Sequence, residues 1–297
     1  MFSVLDMFTI GVGPSSSHTV GPMCAAQAFA SSLEESGAVS RVGRIRVVLY
    51  GSLSLTGLGH GTDRAILAGL EGNVPATVDT DYLLSVRECC AHDGTIHVNG
   101  TNAIAYDDDG DMVFDRWKRL APHPNGMRFQ AFDAQGNIID EQVWYSIGGG
   151  FIRRGRIDDA LISNHEQTPA SSQSPEDSGN DEAAEYGDGV PYPFVSCDGL
   201  IDLCRKHHLS IADVVWANET ARRSPQEVRD RLTRIWNVMS HCIDAGCASA
   251  TPTLPGGLDV PRRAPLMYRR LAANSDVLRR DRRISSALES SDSAWVA

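Results

Sequence analysis

The residues best suited to chemistry stand in three short clusters rich in hydroxyls, imidazoles and glycine. The first runs Gly13-Pro14-Ser15-Ser16-Ser17-His18-Thr19 and continues into Gly21-Pro22. Its hydroxyls and imidazole sit just ahead of a helix start, with Pro22 suited to the first turn. The first N–H groups of a helix lack intrahelical partners, and the positive end of its dipole favours negative charge. A small carboxylate is a natural guest there, with Ser15, Ser16, Ser17 and Thr19 completing its hydrogen bonds. A serine-rich N-cap without any ligand fits the same residues.

The second cluster, from Tyr50 to Asp63, is Gly-rich and carries Ser52, Ser54, Thr56, His60 and Thr62. Its glycines allow close backbone approach to a ligand. His60, beside a helix start at Thr62-Asp63, can give or take a proton near neutral pH. The spacing is neither the dinucleotide fingerprint nor a Walker A loop, and a plain turn is the competing reading. In the third cluster, His123-Pro124-Asn125-Gly126-Met127, Asn-Gly marks a turn from which His123 and Asn125 can project toward a ligand. The acidic run Asp107-Asp108-Asp109-Gly110-Asp111 invites a calcium reading. An EF-hand register would put Ala105 and Arg116 at the first and last ligand positions, so a solvated hairpin turn is expected instead.

These clusters need elements to position them. A helix is expected from Thr19–Pro22 to Gly37, with Ala26, Phe29, Ala30 and Leu33 on one face. A strand over 44–50 leads into the Gly-rich turn, and a second helix runs from Thr62 to Gly72. Strands follow at 95–98 and 102–106 around Asn99-Gly100, then a hairpin of 127–132 with 138–147 ahead of Gly148-Gly149-Gly150. Two helices amid several strands indicate an α+β domain over 1–164 with a mixed sheet. Residues 165–189 are acidic and poor in large apolar side chains, and read as a disordered linker. From 190 to 297 the pattern is the incomplete start of an all-α domain. Ser224-Pro225-Gln226-Glu227 reads as a capping box ahead of a helix with Val228, Leu232, Ile235, Met239 and Ile243 on one face, ending near Gly246. Leu254 to Leu258 reads as a loop, 262–283 as one or two basic helices, and 285–297 shows no pattern.

Composition narrows the function classes. A net charge of −11 argues against a nucleic-acid binder, and the Arg-rich C-terminal stretches read as solvated helix faces. No run of about 18 apolar residues suggests a membrane span, and the N-terminus has no basic region typical of a signal peptide, so a cytoplasmic home is expected. Only Lys118 and Lys206 could form a Schiff base, so no pyridoxal phosphate is expected. The seven cysteines are irregularly spaced with no CxxC pair, which argues against a disulfide framework or a metal site built from them alone. Ser17 and His18 make a poor hydrolase pair, being adjacent and outside any G-x-S-x-G elbow.

Six ordered segments resemble the bacterial iron–sulfur L-serine dehydratases. They are Ser3 to Phe8 with Ile10-Gly11 and the Ser-Ser-Ser-His-Thr stretch; Tyr50 to Leu55 through His60, Thr62 and Asp63; and His123 to Arg128. Later come Tyr145 to Phe151, Val190 to Phe194, and Leu254 to Leu258 with Arg262-Arg263-Ala264-Pro265. The resemblance implies a lyase of amino-acid catabolism and gluconeogenesis that converts L-serine to pyruvate and ammonia. It also implies a 4Fe-4S cluster, held by three cysteines, whose open iron acts as a Lewis acid. On the matching positions it implies His60 and His18 as catalytic residues. Ser15, Ser16, Ser17, Thr19, Thr62, Asp63, His123 and Asn125 would bind substrate.

One departure qualifies this. None of the seven cysteines sits in a matching cluster motif, so no metal ligand is expected from this chain. The expected partners are L-serine, a second copy as a homodimer, and a separate polypeptide carrying the rest of the catalytic domain. The alternative is a non-catalytic module that binds serine or another small carboxylate, or an inactive fragment.

Overall fold

The segment Arg44-Ile45-Arg46-Val47-Val48-Leu49-Tyr50 is the hub of the architecture. The computed structural model describes residues 3–164, 189–254 and 260–272. They fall into two compact units, one of 9–164 and one joining 3–8 to 189–254 and 260–272. The linker expected at 165–189 lies outside the described residues except for Gly189. So do most of the loop expected at Leu254 to Leu258 and everything after 272, including the second part of the basic region.

The first unit opens with α1 (Gly21–Glu35), which leads to β1 (Arg44–Tyr50), α2 (Ser52–Thr56), α3 (Thr62–Leu70) and α4 (Thr80–Asp93). A hairpin of β2 (Thr95–Val98) and β3 (Asn102–Ala105) follows, then α5 (Asp108–Asp111), β4 (Met112–Asp115) and β5 (Lys118–Leu120). The long antiparallel pair β6 (Gly126–Phe132) and β7 (Ile138–Gly148) comes next, and β8 (Phe151–Arg154) and β9 (Leu161–Ser163) complete the unit.

The main sheet runs β2-β3-β1-β6-β7-β8, with β4 also beside β1. β1 is parallel to β4, from Val47↔Met112 to Tyr50↔Asp115, and antiparallel to β6, so the sheet is mixed as expected. Its residues from Val47 to Tyr50 are all buried, as suits a strand covered on both faces. Phe29 and Leu33 of α1, Ile66 and Leu67 of α3, and Leu49 and Phe129 of the sheet form the main core. Phe29 and Phe129 stack with ring centroids 5.2 Å apart. Burying a side chain of this size contributes about 1.5–3 kcal/mol. α1 and α3 pack so closely at Gly69 that a Cβ there would collide with the Met23 carbonyl. The β2–β3 turn has positive φ at both Asn99 and Gly100, the geometry that Asn-Gly favours.

Two expectations need correction. The first unit holds five α-helical segments among its described residues, not two. α4 carries only Leu83, Val86 and Cys90 as buried residues, so its apolar pattern is faint, although Asp79 caps its start and Gly94 its end. The acidic run is not a solvated hairpin turn. Asp108–Asp111 form a single helical turn, and Asp111 is buried, accepting from Arg44 Nε at 2.5 Å and from the Asp107 N–H at 2.9 Å. A partner 67 residues away decides that carboxylate's environment, and local composition carries no trace of it.

The second unit is helical among its described residues: α6 (Cys197–His207), α7 (Ile211–Thr220), α8 (Pro225–Ala248) and α9 (Ala264–Ala272). Ser224 caps α8 by accepting from the Glu227 N–H at 3.1 Å, but the reciprocal capping box forms at Ser210 and Asp213 of α7 instead. Of the expected α8 face, Val228 is buried while Met239 and Ile243 are 40% and 58% exposed. The N-terminal segment belongs to this unit. The buried Glu219 carboxylate accepts from the Ser3 hydroxyl at 2.7 Å, the Val4 N–H at 2.9 Å and Arg223 at 2.8 Å.

Candidate functional site

The three clusters converge in the first unit, held by a chain of hydrogen bonds that a packing contact closes. Ser15 caps a wide turn over Ser16–Val20 that runs without a break into α1, its hydroxyl accepting from the His18 N–H at 3.2 Å. The wide turn projects Ser17 and His18 while burying Thr19 and Val20, and Ser16 stays exposed. His18 is then hydrogen-bonded at both ring nitrogens, Nδ1 to the Ser17 hydroxyl at 2.8 Å and Nε2 to the Ser52 hydroxyl at 3.0 Å. Hydroxyls donate or accept, so either neutral tautomer of His18 is served. Burial and the neighbouring His60 lower its pKa below the ordinary imidazole value, only partly offset by the bond to Ser52.

His60 lies beside it, the two rings 4.9 Å apart and tilted by 40°. Two buried threonines lock the pair. Thr19 donates to the carbonyl of His60 at 2.8 Å, and Thr62 donates to the carbonyl of His18 at 2.5 Å. His60 Nδ1 faces the Thr56 carbonyl at 2.9 Å, and Gly61 in the left-handed region lets the chain turn from there into α3. Asp63, next in sequence, points elsewhere. Its buried carboxylate pairs with Arg87 of α4, which also grips Asp108, so Asp63 anchors the start of α3.

The third cluster joins through Pro124, whose carbonyl accepts the Ser52 N–H at 2.9 Å. Asn125 donates its side chain to the Ser146 carbonyl at 3.1 Å and accepts the Ser146 N–H with its own carbonyl at 3.1 Å. Ser146 closes the ring on α1: a Cβ at Gly21 would overlap its hydroxyl. His123 packs 6.1 Å from the ring of Tyr145, and burial with the nearby Arg153 lowers its pKa. The fold therefore gathers Ser15, Ser17, His18, Thr19, His60 and Thr62, with Asn125 tied to them through Pro124 and Ser52, whereas the His123 ring packs on Tyr145. Sequence reasoning passed over Ser52 and Ser146 as partners, and only their position inside the matching motifs marked them.

The arrangement offers hydroxyl donors, an imidazole that can accept a proton and a half-buried amide. It offers no metal donor set: among the described residues no group of three or more His, Cys, Asp or Glu side chains is placed to hold an ion. All seven cysteines are unpaired thiols, spread over α1, α4, α6 and α8. These residues do not fit a cysteine-held iron–sulfur cluster. No helix among the described residues is long and apolar enough to cross a membrane.

Comparison with known proteins matches residues 3–156 to the family described as serine dehydratase beta chain. An L-serine dehydratase of Streptomyces coelicolor is 41% identical over 274 residues, covering 92% of this chain and 56% of that protein. L-serine dehydratase 1 of Escherichia coli is 39% identical over 282 residues, covering 95% and 56%. An L-serine dehydratase of Mycobacterium tuberculosis is 38% identical over 272 residues, covering 91% and 54%. The chain spans about half the length of these curated relatives.

Proposed function

Because the chain belongs to the serine dehydratase beta chain family, we propose that it supplies the substrate-side part of an L-serine ammonia-lyase, which eliminates the hydroxyl of L-serine to give pyruvate and ammonia. The supporting observation is the closed ring from His18 through Ser52, Pro124, Asn125 and Ser146 back to α1. In this reading the hydroxyls of Ser15, Ser16 and Ser17 at the head of α1 hold the substrate carboxylate. His60 accepts a proton, with His18 beside it, and His123 and Asn125 form the opposite wall. Thr19, Thr62 and Asp63 act one step back by fixing the histidines and the start of α3.

The described residues of this chain do not fit the family's iron–sulfur cluster. The proposal assigns its ligands to the part of the relatives' length that this chain does not match, in a further segment or a separate polypeptide. Assembly as a homodimer and a cytoplasmic place in amino-acid catabolism complete the reading.

Calorimetry of the full chain with L-serine tests the binding role. L-serine should bind, and His18→Ala should weaken binding about tenfold or more, the loss of roughly 1.4 kcal/mol. Absence of any L-serine binding would overturn the proposal. Pyruvate formed by this chain alone after anaerobic cluster reconstitution would overturn the assignment of the ligands elsewhere.

A further inference from the structure

The chain passes from one unit to the other twice, between Phe8 and Thr9 and again ahead of Gly189. On the helical side, consecutive residues of α7 hold the two passages. These residues, Asn218 and Glu219, are both buried. Asn218 accepts the Tyr192 N–H at 2.9 Å and donates to the Tyr192 carbonyl at 2.8 Å, the exchange a neighbouring strand would make. Glu219 serves the N-terminal segment in the same way. The Ser3 hydroxyl lies 2.7 and 2.8 Å from its two oxygens and shares one proton between them. The next main-chain N–H, that of Val4, donates to the same carboxylate at 2.9 Å.

A carboxylate out of reach of water is costly unless donors surround it. Arg223, one turn further along the chain, supplies a donor at 2.8 Å. The others come from Ser3 and Val4, 216 and 215 positions away in sequence. Ser3 is used twice: it donates to Glu219 and accepts the Leu5 N–H at 3.2 Å, which starts the short turn over Val4–Asp6. Leu5 is buried, and this turn packs against α8. The hold ends there, since Met7 and Phe8 are 69% and 51% exposed. Thr9 already belongs to the first unit, where it donates to the Gly149 carbonyl at 2.6 Å.

We propose that Glu219 is a receptor for the N-terminal segment, and that residues 3–8 form a second tie between the units, one that holds when the stretch 165–188 is cut. What the receptor takes is a peptide end of defined chemistry. A serine on extended backbone offers its hydroxyl, the next residue offers a main-chain N–H, and a leucine follows to be buried. Without that segment, Glu219 would be a buried carboxylate with two of its donors gone. This tie goes beyond the serine reading of the site and does not depend on it.

The test uses the full chain with a site-specific protease sequence inserted between Gly179 and Asn180, cut to completion and followed by sedimentation over a dilution series. The two parts are expected to stay associated. Ser3→Asp sets a second carboxylate against Glu219 and leaves the sequence of the helical part untouched. It should weaken the association by about tenfold to a hundredfold, the range for losing hydrogen bonds to a charged group. Glu219→Ala should weaken it from the other side, and if that variant does not fold, Ser3→Asp decides alone. Met7→Asp places a charge on an exposed neighbour and should leave the association unchanged. Wild-type parts that separate as readily as the Ser3→Asp parts overturn the proposal. So does a Ser3→Asp pair that holds as tightly as wild type, or a Met7→Asp loss as large as that of Ser3→Asp.

Discussion

Thr62 donates its buried hydroxyl to the main-chain carbonyl of His18 at 2.5 Å, while Thr19, the residue after His18, donates to the carbonyl of His60 at 2.8 Å. Each histidine is thus held by the other's neighbour. The two bonds cross between the turn before α1 and the turn before α3, and they set the ring separation without touching either ring.

The first prediction concerns this cross. Thr19→Val and Thr62→Val keep the branched shape and remove the donor, leaving a partly buried carbonyl without that partner. Each should cost about 1–3 kcal/mol of stability. Because both bonds brace one joint, the double variant should lose less than the sum, with a coupling of at least about 0.5 kcal/mol. Urea unfolding of the four proteins checks this. Strict additivity would show that the two bonds act independently.

The second concerns acid. Burial and His60 depress the His18 pKa below 6.5, so the unfolded chain binds more protons than the folded one once the pH drops below that value. Stability then rises with pH, and it is lost as the pH falls through 6.5 toward the lower folded value. His123 contributes in the same direction through burial and Arg153. Unfolding free energies measured from neutral to mildly acidic pH should decline, and His18→Asn should flatten the decline. An unchanged slope in the variant would assign the acid sensitivity to other groups.

How much of this was legible beforehand depends on the range of the interactions. The central strand, the Asn99-Gly100 hairpin and the β6–β7 pair announced themselves, because alternation and turn chemistry act between near neighbours. The candidate site residues stood out because serine, histidine and threonine were crowded before glycines. What could not be read was which atoms meet. His18 reaches Ser52 across 34 positions, and Asp63 turns to Arg87 across 24. Asp63 was given a substrate-binding role by the family resemblance, as part of the segment that holds His60 and Thr62. The arginine that claims it lies on a helix with so few buried residues that the helix itself escaped notice.

The third prediction is steric. A Cβ at Gly21 would overlap the Ser146 hydroxyl, which has no hydrogen-bond partner among the described residues. Gly21→Ala should therefore destabilise by about 1–3 kcal/mol, the usual cost of overpacking. Ser146→Ala alone should be nearly neutral, since it removes an unpaired buried hydroxyl. Ser146→Gly should recover part of the Gly21→Ala loss by clearing the side chain. Thermal unfolding of the single and double variants decides the matter, and failure of Ser146→Gly to rescue would place the clash elsewhere.

The last prediction concerns Arg87 of α4, which ties that helix to α3 and α5. It pairs with the buried Asp63 at the start of α3, and its Nε and Nη2 each reach an oxygen of Asp108 at 2.9 Å. Asp108 in turn accepts from the Tyr106 hydroxyl at 2.7 Å, and Arg87 holds its carboxyl below the usual range. Arg87→Met keeps the apolar stem but strands the Asp63 carboxylate, a change worth about 3 kcal/mol at a partly buried pair. The loss should be smaller in the Arg87→Met, Asp63→Asn double variant, where the buried position 63 no longer carries a charge and only the more exposed Asp108 loses its partner. It should also reach the site. Asp63 follows Thr62, so loosening the start of α3 should shift the His18 and His60 ring signals in 1H–15N correlation spectra of the chain labelled at histidine nitrogen. A double variant no more stable than Arg87→Met alone would mean that Asp63 relaxes to solvent without help. Unmoved histidine signals would confine Arg87 to a purely structural role in the helical layer.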